Sequence, residues 1–241
     1  DYERIVGPLK KAHDAVVLDT TNLTVREVVS AIQHIYKQRV AENQRWLYSF
    51  FKHVIFMPLF KLLFRLTVIG AENIPAEGGV VIASNHASVL DPIVLGLGSQ
   101  RQLSYMAKRS LFERPILGRL ISLINVYPID REKNDTSAVA AGMRMLGEQK
   151  AVVIFPEGTR TPDGTVQSPR KDGVGFFALN TEAKIIPAFI NGTFDVLPKG
   201  KRFPRFLPIT VVFGKPLQFD DISHQVRDRY HVATLNVMNA V

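Results

Sequence analysis

The chain has no cysteine among its 241 residues. That excludes disulfides, a thiol nucleophile and a cysteine-held metal site, and it suits a reducing compartment. No run reaches the ~20 uninterrupted apolar residues of a spanning helix. The nearest, Trp46 to Leu66, is broken by Lys52, His53, Lys61 and Arg65. The front carries no charged-apolar-cleavage pattern of a secretory signal, and a start at Asp1 reads as a start inside a longer chain. Internal repeats and low-complexity tracts are absent too.

Acidic residues are outnumbered, 22 against 30 basic ones, for a formal net charge of +8. Such a surface favours anionic partners: nucleic acid, lipid headgroups or phosphorylated substrates. Nucleic acid is the weakest of these, because the aromatics gather in an apolar helix instead of alternating with basic residues on a sheet. With 46% hydrophobic and 22% charged residues, the composition is that of an ordinary globular protein. The length allows one large domain, or a domain with an appendage.

Residues 1–40 differ from the rest. "DAVVLDTTNLTVREVVSAIQHIYKQR" reads as a short strand (Ala15 to Leu18), a turn and a helix, with Thr24 and Glu27 spaced as a capping box. Val28, Val29, Ile32 and Ile35 give the helix an apolar side. The stretch resembles the C-terminal end of bacterial cytidylate kinases, which have a similar LDTTxLTxxEVV segment. The Gly-rich phosphate loop that kinase chemistry would need is missing. The resemblance therefore implies the tail of a kinase domain fused upstream; an unrelated N-terminal cap is the other reading.

Residues 41–66 read as amphipathic helix. Apolar residues fall at 46, 47, 50, 51, 54, 55, 59, 62, 63 and 66, one face of a helix. Phe56, Met57, Phe60 and Phe64 widen that face, the charges beside it are basic, and Pro58 should kink or split the helix. A core helix is one reading. A helix lying in a membrane surface is the favoured one, with aromatics below and Lys and Arg against headgroups.

Residues 67–241 turn to an α/β pattern. Strand-like runs recur at Val80–Ala83, Ile124–Tyr127, Ala151–Phe155, Ile185–Ile190 and Ile209–Phe213, with helical stretches such as Thr136–Gln149 and Gly173–Asn180 between them. The expected fold is a mixed, mostly parallel sheet flanked by helices. Polar residues gather where strands end, as ligand sites do in open α/β sheets.

Three strand ends carry candidate chemistry. In "SNHASVLDP", Asp91 follows His86 by five residues. It can fold back across a turn, hold one ring nitrogen, and leave the other free as a general base. The spacing does not suit a zinc pair, and no second ligand lies nearby. Asp91 before Pro92 also suits an N-cap and first helical position. In "VVIFPEGTR", a strand delivers Glu157, Gly158, Thr159 and Arg160 in a turn, and Arg160 offers a fork that matches a phosphate. In "INVYPIDR", a strand delivers Asp130 and Arg131, which alone would be a weak surface ion pair.

In this order and spacing, His86 to Asp91, "YPIDR", the block Phe155 to Arg160 and "IIPAFING" resemble the motifs of the PlsC-type glycerolipid acyltransferases, the 1-acylglycerol-3-phosphate O-acyltransferase family. The match runs from about Leu66 to Phe219, with two departures: Ala188 where Val is usual, and "SPRKDG" where Phe-Lys-x-Gly is common.

The resemblance implies the glycerolipid acyltransferase fold and a reaction. His86 takes the proton of the acceptor hydroxyl, here the sn-2 hydroxyl of lysophosphatidic acid, and Asp91 orients it. The oxygen attacks the thioester of acyl-CoA or an acyl carrier protein, giving phosphatidic acid. Glu157, Gly158, Thr159 and Arg160 belong to the acceptor block, and Lys108 and Arg131 meet the acceptor phosphate. No cofactor or metal is implied. The groups that hold the tetrahedral oxyanion stay open, with backbone amides near Gly158 one option. Another lyso-lipid or glycerol 3-phosphate as acceptor, and a non-catalytic membrane adaptor for the upstream kinase, are the alternatives.

The implied setting is the cytoplasmic face of a bacterial cell membrane, held peripherally or monotopically on anionic lipid. "LFERPILGRLISLI", Leu111 to Ile124, would line the acyl path or pack as core. Lys199, Lys201, Arg202 and Arg205 in "PKGKRFPRF" would meet an anionic surface or coenzyme A phosphates, or remain a solvated loop.

Overall fold

A computed structural model describes residues 17–113, 126–129, 135–223 and 227–241, with the backbone alone at 36–45, 108, 135 and 136. The chain divides into two compact units, Asp1–Leu47 and Tyr48–Val241.

In the first unit, helix α1 (Val25–Phe50) begins on a reciprocal capping box. The Thr24 amide donates to Glu27 Oε2 at 2.8 Å, and the Glu27 amide to Thr24 Oγ1 at 3.4 Å. Val25, Val29 and Ile32 are exposed along one side. Of the expected strand at Ala15 to Leu18, Val17 and Leu18 are irregular, and Ala15 and Val16 lie outside the described residues.

The second unit opens with a helical run that changes pitch. Phe51–Phe56 form a π-helical turn, and α2 (Met57–Phe64) comes next with Pro58 in its first turn. Pro58 has no amide to donate, so the split expected there is made by the wider turn, closed by the Met57 amide on the Lys52 carbonyl. The core reading holds for one side of this segment, and the other side is open to the surroundings. Phe60 and Phe64 are buried in the core, whereas Phe50, Phe51, Val54, Ile55, Phe56, Leu59 and Leu62 are exposed. Lys52 belongs to the buried side. Its ammonium donates to the Ser99 carbonyl, and burial pulls its pKa down to about 8.

Counting charges as breaks leaves no span here, yet Trp46–Phe64 is helix long and apolar enough, by length and composition, to cross a membrane, with 17% of it buried. A helix with Lys52, Phe60 and Phe64 built into a domain cannot have lipid on all sides.

The described strands are β1 (Thr67–Ile69), β2 (Val80–Ser84), β3 (Leu103–Lys108), β4 (Val126–Ile129), β5 (Ala151–Ile154), β6 (Lys184–Asn191) and β7 (Thr210–Phe213). They form one sheet in the order β1-β7-β6-β2-β5-β3-β4, parallel except where β7 runs against β6. The fold is thus the mixed, mostly parallel sheet expected. Strands β1 and β3 were not anticipated. Strand β4 continues through Pro128 to Ile129, beyond the expected end at Tyr127. As an edge strand, it is a position that tolerates proline.

Central β2 shows why its sequence is apolar throughout. All five residues are buried. Val80 and Ile82 face a core shared with Phe60, Phe64, Val94 and Leu95, while Val81 and Ala83 face one shared with Met145, Val174, Phe177 and Val237. A parallel strand covered on both sides needs apolar residues at odd and even positions alike. Helix α3 (Asp91–Gly98) and α2 cover the first face. The helices Asp135–Gly147, Gly173–Asn180 and Arg229–Ala240 cover the second.

Candidate active site

Strands β2, β5, β3 and β4 are neighbours and parallel, so their carboxyl ends share one edge. His86 comes after the end of β2 and Glu157 after the end of β5. Lys108 is the last residue of β3, and its backbone pairs with Ile129 of β4. The topology thus brings four of the sequence-selected segments to one edge. Asp130, Arg131 and most of Leu111–Ile124 lie outside the described residues.

His86 is fixed at every point but one. Its amide donates to Glu157 Oε1 at 3.0 Å, and its carbonyl accepts from the Thr161 amide at 2.7 Å. Its Nδ1 lies 2.8 Å from Asp91 Oδ2. Its ring stacks on Phe155 at 4.1 Å between centroids and 18° between planes. A carboxylate facing Nδ1 keeps the proton there and leaves Nε2 as the acceptor. With 19% of the side chain exposed, that nitrogen is where a proton can be taken.

Asp91 is fully buried. The same Oδ2 also accepts from the amides of Ala87, at 2.6 Å, and Ser88, at 2.7 Å. The expectation that Asp91 caps a helix therefore needs correcting. Asp91 is the first residue of α3, the cap position is Leu90, and no side chain bonds there. The carboxylate holds the turn before the helix instead, because closing a five-residue His-to-Asp loop points those amides at it. Asp91 Oδ1 has no hydrogen-bond partner among the described residues.

Glu157 is also fully buried, with Oε2 unpartnered. Desolvation pushes its pKa up, the amides of His86 and Gln167 pull it down, and the nearby Asp91 charge adds to the rise. Its contact is with the backbone of the histidine. Gly158 has φ of +69°, the left-handed region that glycine tolerates. The Gly158 amide donates to the Phe155 carbonyl at 2.9 Å, so that amide is spent on the turn and is not an oxyanion donor. Thr159 and Arg160 come next, both half-buried, and Arg160 has no ion-pair partner among the described residues. No group of three or more His, Asp or Glu residues among the described ones is placed to share a metal.

Three contributors carry no role that the sequence alone assigns. Asn85 makes two hydrogen bonds with Ile190, donating from Nδ2 to the carbonyl at 2.9 Å and accepting at Oδ1 from the amide at 2.8 Å. It continues the β2–β6 ladder with a side chain just where the turn begins. Ser88 Oγ donates to the Leu197 carbonyl at 2.7 Å, tying that turn to the chain after β6. Phe155 supplies the platform for the imidazole. Its place before Pro156 was the available signal, since proline holds the preceding residue extended and β5 stops at Ile154. A stacked aromatic pair contributes ~0.5–1.5 kcal/mol. Phe155→Leu is expected to lower kcat between about twofold and tenfold, with KM for both substrates unchanged, in steady-state assays.

Fold and site together define a class: an α/β protein with a histidine hydrogen-bonded to a buried aspartate at the carboxyl edge of its sheet. The acyltransferase family model matches residues 65–191, more than half of the chain. The chain belongs to the acyltransferase family. A second family model, cytidylate kinase, matches residues 1–38. Among curated relatives, a 1-acyl-sn-glycerol-3-phosphate acyltransferase of Bacillus subtilis is 34% identical over 158 residues, covering 65% of this chain and 76% of that protein. The chloroplastic enzyme LPAT1 of Arabidopsis thaliana, of the same name, is 31% identical over 140 residues, 57% of this chain and 39% of that longer protein. The crystal structure of the 1-acyl-sn-glycerophosphate acyltransferase PlsC from Thermotoga maritima shares the fold, with a TM-score of 0.65, 24% identity, and coverage of 83% of this chain and 80% of that one.

Proposed function

We propose that this chain transfers a fatty acyl group from acyl-CoA, or an acyl carrier protein, to the sn-2 hydroxyl of 1-acylglycerol 3-phosphate, giving phosphatidic acid. The observation that carries the reading is His86, immobilised through its amide, carbonyl, Nδ1 and ring face with Nε2 left for a substrate. Nε2 accepts the hydroxyl proton as the acceptor oxygen attacks the thioester carbonyl. Asp91 stabilises the imidazolium that forms, and collapse of the tetrahedral intermediate releases the thiol, which takes the proton back. The names of the curated relatives support the acceptor. A phosphate on the acceptor suits Arg160, and Lys108 and Arg131 are the other cations that the family resemblance assigns to it.

The exposed apolar side of residues 50–62 supports a peripheral or monotopic place on the cytoplasmic face of a bacterial membrane. The cytidylate kinase match supports an upstream kinase domain that α1 would complete. The unpaired stripe Val25, Val29 and Ile32 is the side such a domain would cover.

The test is thiol release from palmitoyl-CoA in detergent with 1-acylglycerol 3-phosphate. Release that requires this acceptor and yields phosphatidic acid is the expected result. Release with glycerol 3-phosphate or another lyso-lipid instead would replace the acceptor, and release with none of them, from palmitoyl-CoA or palmitoyl-acyl carrier protein, would sink the reading.

A further inference from the structure

We propose that the loop 198–207 is a second membrane-docking element, which inserts Phe203 and Phe206 into an anionic bilayer and seats the active-site edge on its surface. This goes beyond acyl transfer and adds a contact separate from the helical one.

The sheet register places the loop. Ser84 at the end of β2 pairs with Ala188, and β6 continues from there to Asn191, which pairs with Thr210 at the start of β7. Because β7 runs against β6, the chain between them leaves and returns at the carboxyl edge that carries His86. Two pins hold the near end of the loop: the Leu197 carbonyl accepts from Ser88 Oγ at 2.7 Å, and the Val196 carbonyl accepts from the Arg205 amide at 2.8 Å. The far end rests on α2, with the Phe206 ring 6.0 Å from that of Phe64. Inside the loop, the Lys201 amide closes a turn on Pro198 at 3.2 Å.

Despite this anchoring, most of the surface of both phenylalanines stays exposed. Phe203 is 85% exposed and Phe206 61%. A loop folded for its own packing would bury them. Lys199, Lys201, Arg202 and Arg205 alternate with them, all exposed and none in an ion pair among the described residues. Aromatic side chains flanked by unpaired cations match a surface with acyl chains below and anionic headgroups above. A coenzyme A site could use the same cations for its phosphates and a ring for its adenine, and the measurements below separate it from a bilayer.

The binding measurement uses the full chain without substrate, so it reads membrane contact independently of acyl transfer. Sedimentation with vesicles of phosphatidylcholine, alone or with phosphatidylglycerol, is compared for the parent, for the double change Phe203→Ser with Phe206→Ser, and for Lys199, Lys201, Arg202 and Arg205 all changed to Gln. Each variant is expected to lose roughly tenfold or more in partitioning to anionic vesicles, while keeping its melting temperature and its activity on a water-soluble short-chain acceptor. Phe203→Trp is then placed in a Trp46→Phe background, which removes the one native tryptophan. It should emit to the blue on anionic vesicles and be quenched by brominated acyl chains. Unchanged partitioning of the aromatic variant, or a Phe203→Trp emission indifferent to vesicles, overturns the insertion. A charge variant that binds vesicles normally but raises KM for acyl-CoA overturns it in favour of a coenzyme A site.

Discussion

Replacing His86 with alanine is expected to lower kcat by about 10³-fold, within the 10²–10⁴ range of general base catalysis, and to leave the fold intact. The side chain is partly exposed, and its bonds to Glu157 and Thr161 run through its amide and carbonyl. Alanine keeps both. The loss to stability is the stack on Phe155, about 0.5–1.5 kcal/mol, and the Nδ1 hydrogen bond to buried Asp91, about 1.5–3 kcal/mol. The KM for the acceptor should hardly move, because the cations assigned to the phosphate are untouched. Parallel measurement of turnover, KM and thermal unfolding separates this outcome from its rivals. Retention of more than a tenth of the activity would remove His86 from the role of base. A large fall in melting temperature would mean that the lost activity reports unfolding.

Much of this site could be read from the sequence because its chemistry is local. His86 and Asp91 are five residues apart, so one turn determines their geometry, and the apolar run ahead of them announces a doubly covered strand. The contacts that immobilise the histidine are not local. Glu157 reaches the His86 amide across 71 residues, and Asn85 reaches Ile190 across 105. No spacing rule connects such positions. Glu157 could be named as part of an acceptor block, but that it holds the backbone of the histidine is visible only once β2 and β5 are neighbours.

The amphipathic helix was legible in composition and misleading in phase. A 3.6-residue period places Lys52 with the solvated charges, yet it is buried against the Ser99 carbonyl. The π-helical turn at Phe51–Phe56 inserts an extra residue into the pitch and rotates the next turns of helix, and a fixed period cannot anticipate that shift. Strand β1 was missed for its three residues, and β3 because "LSYMAK" mixes polar with apolar side chains. Tertiary pairing, not local pattern, makes both of them strands.

Asp91→Ala should cost both activity and stability, which distinguishes it from the histidine variant. One oxygen of Asp91 serves His86 Nδ1 and the amides of Ala87 and Ser88. Its removal leaves two buried amides without an acceptor, at ~1–3 kcal/mol each. For a unit of this size, that total lowers the melting temperature by roughly 4–24 °C. The kcat should fall by about 10³-fold, since the imidazole loses both its orientation and the charge that stabilises its protonated form. Asp91→Asn divides these roles. An amide oxygen in the place of Oδ2 keeps all three hydrogen bonds, and with them the Nδ1–H tautomer. The new NH₂ takes the place of Oδ1, which has no hydrogen-bond partner among the described residues. The fold should lose about 1–3 kcal/mol for that buried donor. The kcat should fall less than in the alanine variant, by about 10²-fold, through the lost charge alone. Kinetics and melting curves of the two variants together decide the matter. Equal loss of turnover in both would mean that charge dominates and orientation adds nothing. Full activity in Asp91→Asn would mean that the carboxylate serves only to hold the turn, and the dyad mechanism would have to be given up.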